Sequence, residues 1–340
     1  MSNTASVEED QTDAAARKAR GEFVRGVSGF RHAIGDPDFP AEPGRYHLFV
    51  ALNCPWCHRV TLARAVLGLT DAITMDVAFP NRTSDDDPVA PNLWEFSPNR
   101  VASLTGETLP ECTPETATGK ALRLAKEIYQ QEGSEEQSVP ILYDKKSQRI
   151  VSNESAEILR MLNRFASHLG SDMADGERPN LYPDDQAVQS EIDALNERIY
   201  TAINNGAYKA GFSSDQATYA AAFKAYFEAL QWLDDLLSDG RPFLTGAAFT
   251  EADLRLFPTL YRHDPVYTVR MKLNAARIVD YPNLWRWLCR LYGLPHVSES
   301  GSLVHCRQGY FGRSWNGVVP LGPEKPMSYP QAYRHPELAG

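Results

Sequence analysis

The stretch FVALNCPWCHRVTLARAV, residues 49–66, joins an apolar, strand-like run to a helical pattern through two cysteines, Cys54 and Cys57. Pro55 suits the first position of a helix, because its missing N–H has no partner to lose there. The C-x-x-C spacing allows a dithiol redox pair, half of a zinc site, or one reactive thiol beside a second thiol. The choice between these alternatives decides the chemistry.

A zinc site needs four ligands. The sequence offers no second C-x-x-C pair, and Cys112, Cys289 and Cys306 stand alone. Zinc is therefore disfavoured, and we expect no metal. Two buried structural cysteines remain the simplest alternative to a chemical role.

Cys54 is predicted to cap the N-terminus of the helix, where unpaired N–H groups and the helix dipole stabilise a thiolate. Such sites lower a cysteine pKa to roughly 3.5–7.5. His58 and Arg59 add nearby positive charge. Cys57 lies one turn further on the same face and gains less from the helix end. We therefore expect Cys54 to be the nucleophile and Cys57 to be at most a resolving thiol.

Outward from this motif, the pattern reads as β-α-β, a helix, a β-hairpin and a final helix, which is the order of a thioredoxin-like fold. A linker dense in Gly, Pro and Asp follows, and the chain is then helical almost throughout. The fold class is α/β plus all-α. The expected units are an N-terminal tail or extension (1–40, with residues 1–22 frayed), a thioredoxin-like thiol-binding domain (41–170), an all-helical substrate domain (186–310) and a C-terminal tail (311–340).

Bulk properties exclude several function classes. The 340 residues carry a net charge of −10, which argues against a nucleic-acid partner and against an anionic membrane surface. No run of 18 apolar residues and no signal-peptide pattern is present, so we expect no membrane association. Five irregularly spaced cysteines do not suggest a secreted disulfide framework, which favours a reducing, cytoplasmic location.

Seven stretches, in this order and spacing, resemble the glutathionyl-hydroquinone reductases, the Xi class of glutathione transferases. The resemblance covers about residues 30–322. It rests on GRYHLFVALNCPWCHR (44–59), LWEFSPN (93–99), VPILYDKKSQRIVSNESAEILRM (139–161), IYTAINNGAYKAGF (199–212), FLTGAAFTEADLRLF (243–257), RHDPVY (262–267) and YPNLWRWLCRLYGLPHV (281–297).

The resemblance implies a glutathione-dependent oxidoreductase that reduces S-glutathionyl-hydroquinones through a mixed disulfide between Cys54 and glutathione. Its partners would be small-molecule thiols and quinol conjugates, and it implies a homodimer. The enzymatic alternative is a broader glutaredoxin-like thiol transferase or dehydroascorbate reductase. A non-catalytic scaffold is the third class, and the complete set of thiol-site motifs argues against it.

The resemblance also implies a set of glutathione-binding residues. Trp94 would pack on the tripeptide. Val139 would offer backbone hydrogen bonds, and Pro140 would be the cis-proline of the thioredoxin fold. Glu154 and Ser155 would hold the γ-glutamyl end, with Ser155 at a helix N-terminus. From the residues alone, an ordinary helix cap and a solvated acid explain these last two equally well.

Tyrosines of the helical domain are the candidates for groups that hydrogen-bond or protonate the quinol. Tyr200 and Tyr292 are the first choices, and Tyr208 and Tyr267 are weaker ones. The structural alternative is that these side chains belong to the core and have satisfied hydroxyl groups.

The sequence departs from the family pattern in two places. Cys57 stands where the motif usually has alanine, which suggests a dithiol cycle. Glu135 and Glu136 precede the Val-Pro pair where relatives often carry a base for the glycyl carboxylate. Either Arg82 or Arg100 supplies that charge, or the co-substrate is a low-molecular-weight thiol other than glutathione.

Overall fold

The N-terminal domain forms around strand β1 (Tyr46–Val50), in which every residue is buried, the pattern of a strand covered on both faces. It pairs in parallel with β2 (Thr74–Val77) and antiparallel with β3 (Ile141–Asp144), which pairs antiparallel with β4 (Arg149–Ser152). The sheet order is β2-β1-β3-β4. The computed structural model describes residues 18–19, 21–23, 26–87, 91–105, 115–313 and 316–322.

Helices cover this sheet as the sequence predicts. Helix α1 (Pro55–Val66) packs against helix α5 (Ser155–Leu169), and the Val139–Pro140 peptide bond that precedes β3 is cis. The predicted strand–helix–strand unit, hairpin and final helix are thereby confirmed. The helices of this domain are α1 (Pro55–Val66), α2 (Pro98–Thr105), α3 (Glu115–Thr118), α4 (Ala125–Gln130) and α5 (Ser155–Leu169).

Past the linker, the second domain is helical, as predicted. Helix α9 (Glu251–Arg262) packs against α6 (Gln186–Ile199) of its own domain and against α1 of the thioredoxin-like domain, so it joins the two domains. π-helical turns lie at Tyr200–Asn204 and His263–Tyr267. The helices are α6 (Gln186–Ile199), α7 (Asn205–Gly211), α8 (Gln216–Leu236), α9 (Glu251–Arg262), α10 (Thr268–Arg270), α11 (Pro282–Tyr292) and α12 (Leu303–Phe311), with short 3₁₀ turns at Leu237–Asp239, Ile278–Asp280 and Ser298–Ser300.

The T-x-x-D pattern at the start of α9 predicts a capping box, and the structure contains it. The buried Asp253 carboxylate accepts hydrogen bonds from the Thr250 N–H (3.1 Å), the Leu244 N–H (2.9 Å) and the Trp287 indole N–H (2.8 Å). Burial outweighs these bonds and raises the pKa of Asp253 to about 6. Asp253 therefore ties α9 to α11 and to the preceding loop.

Part of the N-terminal extension packs onto the thioredoxin-like domain. The His32 N–H donates to the Val151 carbonyl at 2.9 Å, and Ile34 and Phe39 are buried. These residues therefore belong to the core of the first domain. Most of the frayed segment expected at residues 1–22, and most of the tail expected at residues 311–340, lie outside the described residues.

Candidate active site

Cys54 lies at the mouth of α1, as the sequence predicts. Its backbone is extended (φ −79°, ψ 124°), and Pro55 is the first helical residue. The Cys54 Sγ atom lies 3.9 Å from the Val139 carbonyl oxygen, next to the cis peptide bond. The nucleophile and the backbone expected to bind the thiol therefore face each other.

The Cys54 thiol is acidic. Burial alone would raise its pKa, but the hydrogen bond from the Cys57 thiol, the backbone N–H groups of Cys57 and Trp56, and the charge of Arg262 outweigh it. Together they lower the pKa of Cys54 to about 6. At neutral pH Cys54 is mostly thiolate, which is the reactive form.

Cys57 is fully buried beneath Cys54. Its sulfur accepts the Ala51 N–H at 3.3 Å, and its own S–H is directed to the Cys54 sulfur. Burial and the neighbouring Cys54 raise the pKa of Cys57 well above the usual value. Both cysteines are free thiols, and Cys57 is the protonated partner of the pair.

The positive charge near Cys54 does not come from the residues that the sequence indicated. Burial, with the charge of Arg262, lowers the pKa of His58 well below its usual value, so the imidazole is neutral. Arg59 is directed into the helical domain, where it donates to the Asn204 side chain at 2.5 Å. The prediction that His58 adds charge at Cys54 is wrong, because the ring is completely enclosed.

Arg262, at the C-terminus of α9, supplies that charge. Its buried guanidinium donates to the carbonyls of Leu52 (2.9 Å), Asn53 (3.2 Å) and Pro258 (2.8 Å). A buried arginine between the two domains therefore holds the backbone just before Cys54 and stabilises the thiolate. The sequence offered one signal for this role, because Arg262 ends a largely apolar helix. Charged residues are seldom fully buried unless they are paired, so an arginine in such a helix indicates specific polar partners.

Cys54 opens into a cavity of about 850 Å³ between the two domains. This volume is in the range of small-molecule sites. The wall combines the Cys54 motif, the loop before β3, the loop after β2, and side chains from both ends of the chain. Its lining includes Phe23, Asn53, Trp56, Arg82, Trp94, Glu136, Val139, Asn153, Tyr208, Phe212, Arg270, Tyr310 and Arg313.

The tyrosines in this wall differ from the two first choices. Tyr208 lines the cavity with Tyr310, and their hydroxyl groups are 2.7 Å apart; the Tyr267 hydroxyl lies 3.3 Å from that of Tyr310. Burial raises the pKa of Tyr208 and Tyr310 well above the usual value, and that of Tyr267 to about 12. All three phenols are therefore neutral at physiological pH.

Tyr200 and Tyr292 are not brought to the Cys54 cavity. Tyr200 lines a second cavity, and its ring centroid lies 5.9 Å from that of Trp56. Tyr292 stacks on Tyr261 at 6.4 Å and is absent from the residues described at the cavity wall. These two side chains are therefore not among the described residues that line the Cys54 cavity, and their catalytic role stays a prediction. Tyr310 was missed because it lies at the end of the last helix, next to the predicted tail.

Trp94 and Arg82 form one side of the cavity. The Arg82 guanidinium lies 4.1 Å from the Trp94 ring centroid, a cation–π distance. Burial lowers the pKa of Arg82, while the Cys54 thiolate acts in the opposite direction. Arg100 is paired with Glu95 and lies outside the residues described at the wall. Of the two candidate bases, Arg82 is the one at the cavity.

The two acids before the Val-Pro pair differ in position. Glu135 is exposed and pairs with Lys126 at 2.9 Å, so it points away from the site. Glu136 lines the cavity, where its carboxylate accepts the Gly29 N–H at 3.1 Å and the side-chain amide of Asn153. Glu136 is therefore engaged by protein donors at the edge of the site.

Glu154 and Ser155 are not among the described residues that line the Cys54 cavity. Glu154 caps α5 by accepting the Ala156 N–H at 3.1 Å, and its other oxygen accepts the Ser28 hydroxyl at 3.2 Å. Glu154 lines the second cavity, and Gly26, Val27 and Ser28 line both cavities. Ser155 is fully buried. Their role in binding a γ-glutamyl group stays a prediction.

Neither a metal cluster nor a membrane span is found in the part of the chain that the structure describes. There, no group of three or more His, Cys, Asp or Glu side chains could hold a metal ion. In the same residues, no helix has both the length and the apolar character needed to cross a bilayer.

A thioredoxin-like domain whose first helix opens on a reactive cysteine, joined to a helical domain that completes the cavity, defines a glutathione-transferase-like protein. Residues 53–164 match the glutathione S-transferase N-terminal domain, and residues 216–290 match the glutathione S-transferase C-terminal domain. These ranges contain the cysteine motif and the core of the helical domain, respectively.

Similarity to individual proteins shows which class of glutathione transferases the chain resembles. Glutathionyl-hydroquinone reductase PcpF of Sphingobium chlorophenolicum is 36% identical, covering 92% of this chain and 93% of the relative. Glutathionyl-hydroquinone reductase YqjG of Escherichia coli is 37% identical, covering 91% and 92%. Its glutathione-bound structure matches with a TM-score of 0.73 over 89% of this chain and 96% of that one, at 36% identity.

The crystal structure of glutathione-S-transferase Xi from Phanerochaete chrysosporium matches with a TM-score of 0.77 and 36% identity, covering 89% of this chain and 93% of the other. The chain belongs to the glutathionyl-hydroquinone reductase family, the Xi class of glutathione transferases.

Proposed function

We propose that this protein reduces S-glutathionyl-hydroquinones to hydroquinones with glutathione as co-substrate, through a mixed disulfide on Cys54. The observation that carries the proposal is the Cys54 thiolate, with a pKa of about 6, at the mouth of a cavity that also holds neutral phenols. The names of the relatives PcpF and YqjG support the same substrate class.

In the first half-reaction, the Cys54 thiolate attacks the glutathione sulfur of the conjugate. A sulfur–sulfur bond forms and the carbon–sulfur bond to the ring breaks. The ring carbon keeps the bonding electron pair and takes up a proton, so the ring is reduced. Cys54 and the glutathione sulfur are oxidised to a mixed disulfide. This is nucleophilic covalent catalysis.

The proton for the ring carbon comes from the tyrosine cluster. The Tyr310 hydroxyl is hydrogen-bonded to those of Tyr208 and Tyr267, and either oxygen of each pair can be the donor. A phenolate formed on one of these residues would therefore be stabilised by a neighbouring hydroxyl that donates to it. Because all three phenols are neutral at physiological pH, each carries a proton to donate. We assign the general-acid role to Tyr208 or Tyr310, which both line the cavity.

In the second half-reaction, the thiolate of free glutathione attacks the glutathionyl sulfur bound to Cys54. Oxidised glutathione leaves and the Cys54 thiolate is restored. The low pKa of Cys54 favours this step, because a less basic thiolate is a better leaving group.

Glutathione binding would use residues on both sides of Cys54. The Val139 backbone faces the Cys54 sulfur, Trp94 supplies an apolar surface, and Arg82 supplies a cation for the glycyl carboxylate. The Glu154 carboxylate already accepts a hydrogen bond from the Ser28 hydroxyl. A γ-glutamyl ammonium that binds Glu154 must therefore share the carboxylate with Ser28 or displace the Ser28 hydroxyl. A different low-molecular-weight thiol remains the alternative co-substrate, since Glu136 adds an acid to the wall.

A second candidate function is glutaredoxin-like reduction of disulfides or dehydroascorbate, and Cys57 favours it. After Cys54 forms a mixed disulfide, the Cys57 thiolate would attack the Cys54 sulfur. The glutathione thiolate leaves, and a Cys54–Cys57 disulfide results. Two external thiols then reduce it. The raised pKa of Cys57 makes this step slow unless a base removes its proton.

The homodimer implied by the resemblance and the cytoplasmic location favoured by the cysteine usage stay predictions. A sedimentation measurement on the purified chain tests the first, and fractionation of the producing cell tests the second.

A panel of substrates tests the proposed function. Glutathionyl-hydroquinone, a glutathione mixed disulfide and dehydroascorbate are each supplied with glutathione and with other low-molecular-weight thiols, using wild type and Cys54→Ser. We expect turnover of the thioether by wild type and none by Cys54→Ser. Turnover of the thioether that survives in Cys54→Ser contradicts the covalent mechanism.

A further inference from the structure

One segment that lines the active-site cavity comes from the N-terminal extension. We call residues 21–23 and 26–30 the N-terminal strap. At one end the Gly21 carbonyl accepts the Ser214 N–H at 3.2 Å, in the helical domain. At the other end, the Phe30 N–H and carbonyl both bond to Asn153, at 3.2 Å each, in the thioredoxin-like domain. The two described ends of the strap are therefore anchored on different domains, and Phe23, Gly26, Val27 and Ser28 line the cavity.

Phe23 is the aromatic residue of the strap that reaches the Cys54 cavity. Its ring centroid lies 5.6 Å from that of Tyr208 and 5.8 Å from that of Phe212. The ring planes are tilted by 48° and 34°, in the range of favourable aromatic pairs. The three rings form one aromatic wall, and Tyr208 belongs to the cluster assigned the proton transfer.

The other end of the strap contacts a different part of the site. Ser28 donates to the Glu154 carboxylate, and the Gly29 N–H donates to Glu136. These contacts lie where the polar end of a thiol would bind. Ser28 thus lies at the end of the strap near the polar part of the thiol, and Phe23 lies at the end that joins the aromatic wall. Substitutions at the two ends of the strap can be tested separately.

We propose that Phe23 is a specificity-determining residue, which packs on the aromatic ring of the conjugate and selects aryl thioethers over alkyl ones. The inference rests on the proposed function and extends it to a residue of the N-terminal extension, outside both domains of the fold. Phe23 performs no chemistry. Its ring adds apolar contact area and aromatic packing to one side of the hydroquinone, in the same aromatic wall as the neutral phenol of Tyr208.

A purely structural role makes a different prediction. If Phe23 only anchors the strap on Tyr208 and Phe212, its removal loosens the strap and weakens every ligand alike. If Phe23 touches the ring, its removal weakens aryl conjugates and leaves alkyl conjugates unchanged. The difference between the two ligand classes therefore distinguishes contact from anchoring.

The experiment measures equilibrium binding by calorimetry in a Cys54→Ser background, so that no turnover occurs. The two ligands are S-(2,5-dihydroxyphenyl)glutathione and S-methylglutathione, which share the thiol part and differ in the group on sulfur. Three proteins are compared: Cys54→Ser alone, and the same protein with Phe23→Ala or Phe23→Tyr. Thermal unfolding of each confirms that the proteins are folded at the binding temperature.

We expect Phe23→Ala to weaken binding of the aryl conjugate about tenfold, or about 1.4 kcal/mol, with S-methylglutathione unchanged. Phe23→Tyr keeps the ring and should bind both ligands like the parent. Equal weakening of both ligands, or no weakening of either, overturns the inference. So does a parent protein that binds the aryl conjugate no tighter than the methyl one. If the parent prefers the aryl conjugate but wild type does not reduce it, the proposed function fails while the binding role of Phe23 stands.

Discussion

The hydrogen bond from Cys57 to Cys54 gives a quantitative prediction for the acidity of the nucleophile. Cys57→Ala removes the donor, whereas Cys57→Ser replaces the thiol with a hydroxyl that can still donate. A hydrogen bond to a charged group contributes about 1.5–3 kcal/mol, and one pKa unit corresponds to about 1.4 kcal/mol. Cys57→Ala should therefore raise the pKa of Cys54 from about 6 to about 7–8, and Cys57→Ser should leave it near 6.

The assay is alkylation of Cys54 by iodoacetamide as a function of pH, followed by mass spectrometry of the peptide that contains it. The midpoint of the profile is the readout rather than the rate at one pH, since a more basic thiolate is also more nucleophilic. Because the thiolate is the reactive form, the rate should rise with pH through the pKa and then level off. Cys57 itself stays protonated over this range, so a single transition is expected.

Two results would refute the reasoning. An alkylation midpoint for Cys57→Ala equal to that of wild type would mean that Cys57 does not stabilise the thiolate. An equal shift in the serine variant would mean that packing, rather than hydrogen bonding, sets the pKa of Cys54. The serine variant also cannot form a disulfide, so its turnover separates the donor role from a resolving role.

Three further predictions concern other parts of the molecule. Tyr310→Phe should lower kcat for the aryl thioether by about 100-fold through loss of proton transfer, measured by steady-state kinetics, while Tyr292→Phe serves as the control with kcat near wild type. Arg82→Ala should raise KM for glutathione by about tenfold with little change in kcat, and an unchanged KM would show that another group binds the glycyl carboxylate. Asp253→Ala leaves buried donors unpaired and should lower the free energy of unfolding by about 3 kcal/mol, measured by urea denaturation, whereas a change below about 0.5 kcal/mol would contradict the role of the capping box.

Local signals in the sequence predicted the elements that carry the nucleophile. The strand-to-helix junction follows from residues that are adjacent in sequence, an apolar run followed by Cys54 and Pro55. The structure places the cysteine at this junction. The cis Val139–Pro140 bond was expected from the resemblance and is present. The strand-to-helix junction depends on neighbours in sequence, so it can be predicted without knowing the tertiary packing, whereas the cis bond was implied by the resemblance.

The tyrosines could not be predicted in the same way. A regular helical period relates Tyr200 to Tyr208 through a constant rotation per residue, but the π-helical turn Tyr200–Asn204 lies between them and changes that rotation. Tyr310 and Phe23 reach the cavity from opposite ends of the chain, so only tertiary packing brings them together. No short-range pattern encodes such contacts.

Burial explains why the positive charge near Cys54 does not come from His58, as the sequence suggested. A histidine next to a cysteine motif suggests positive charge when the sequence is read alone. In the structure, His58 is enclosed beside the Arg262 guanidinium, 2.8 Å away, and burial with that charge keeps the ring neutral. The charge that acts on Cys54 comes from a residue about 200 positions away in sequence, which depends on how the two domains pack.

Single-turnover mass spectrometry tests the central claim most directly. Cys57→Ser protein is mixed with one equivalent of S-glutathionyl-hydroquinone in the absence of free thiol, and the protein and the released quinol are both quantified. We predict one glutathionyl group on the Cys54 peptide for each hydroquinone released. Hydroquinone released without a glutathionyl group on Cys54, or with the group on another cysteine, would contradict the mechanism.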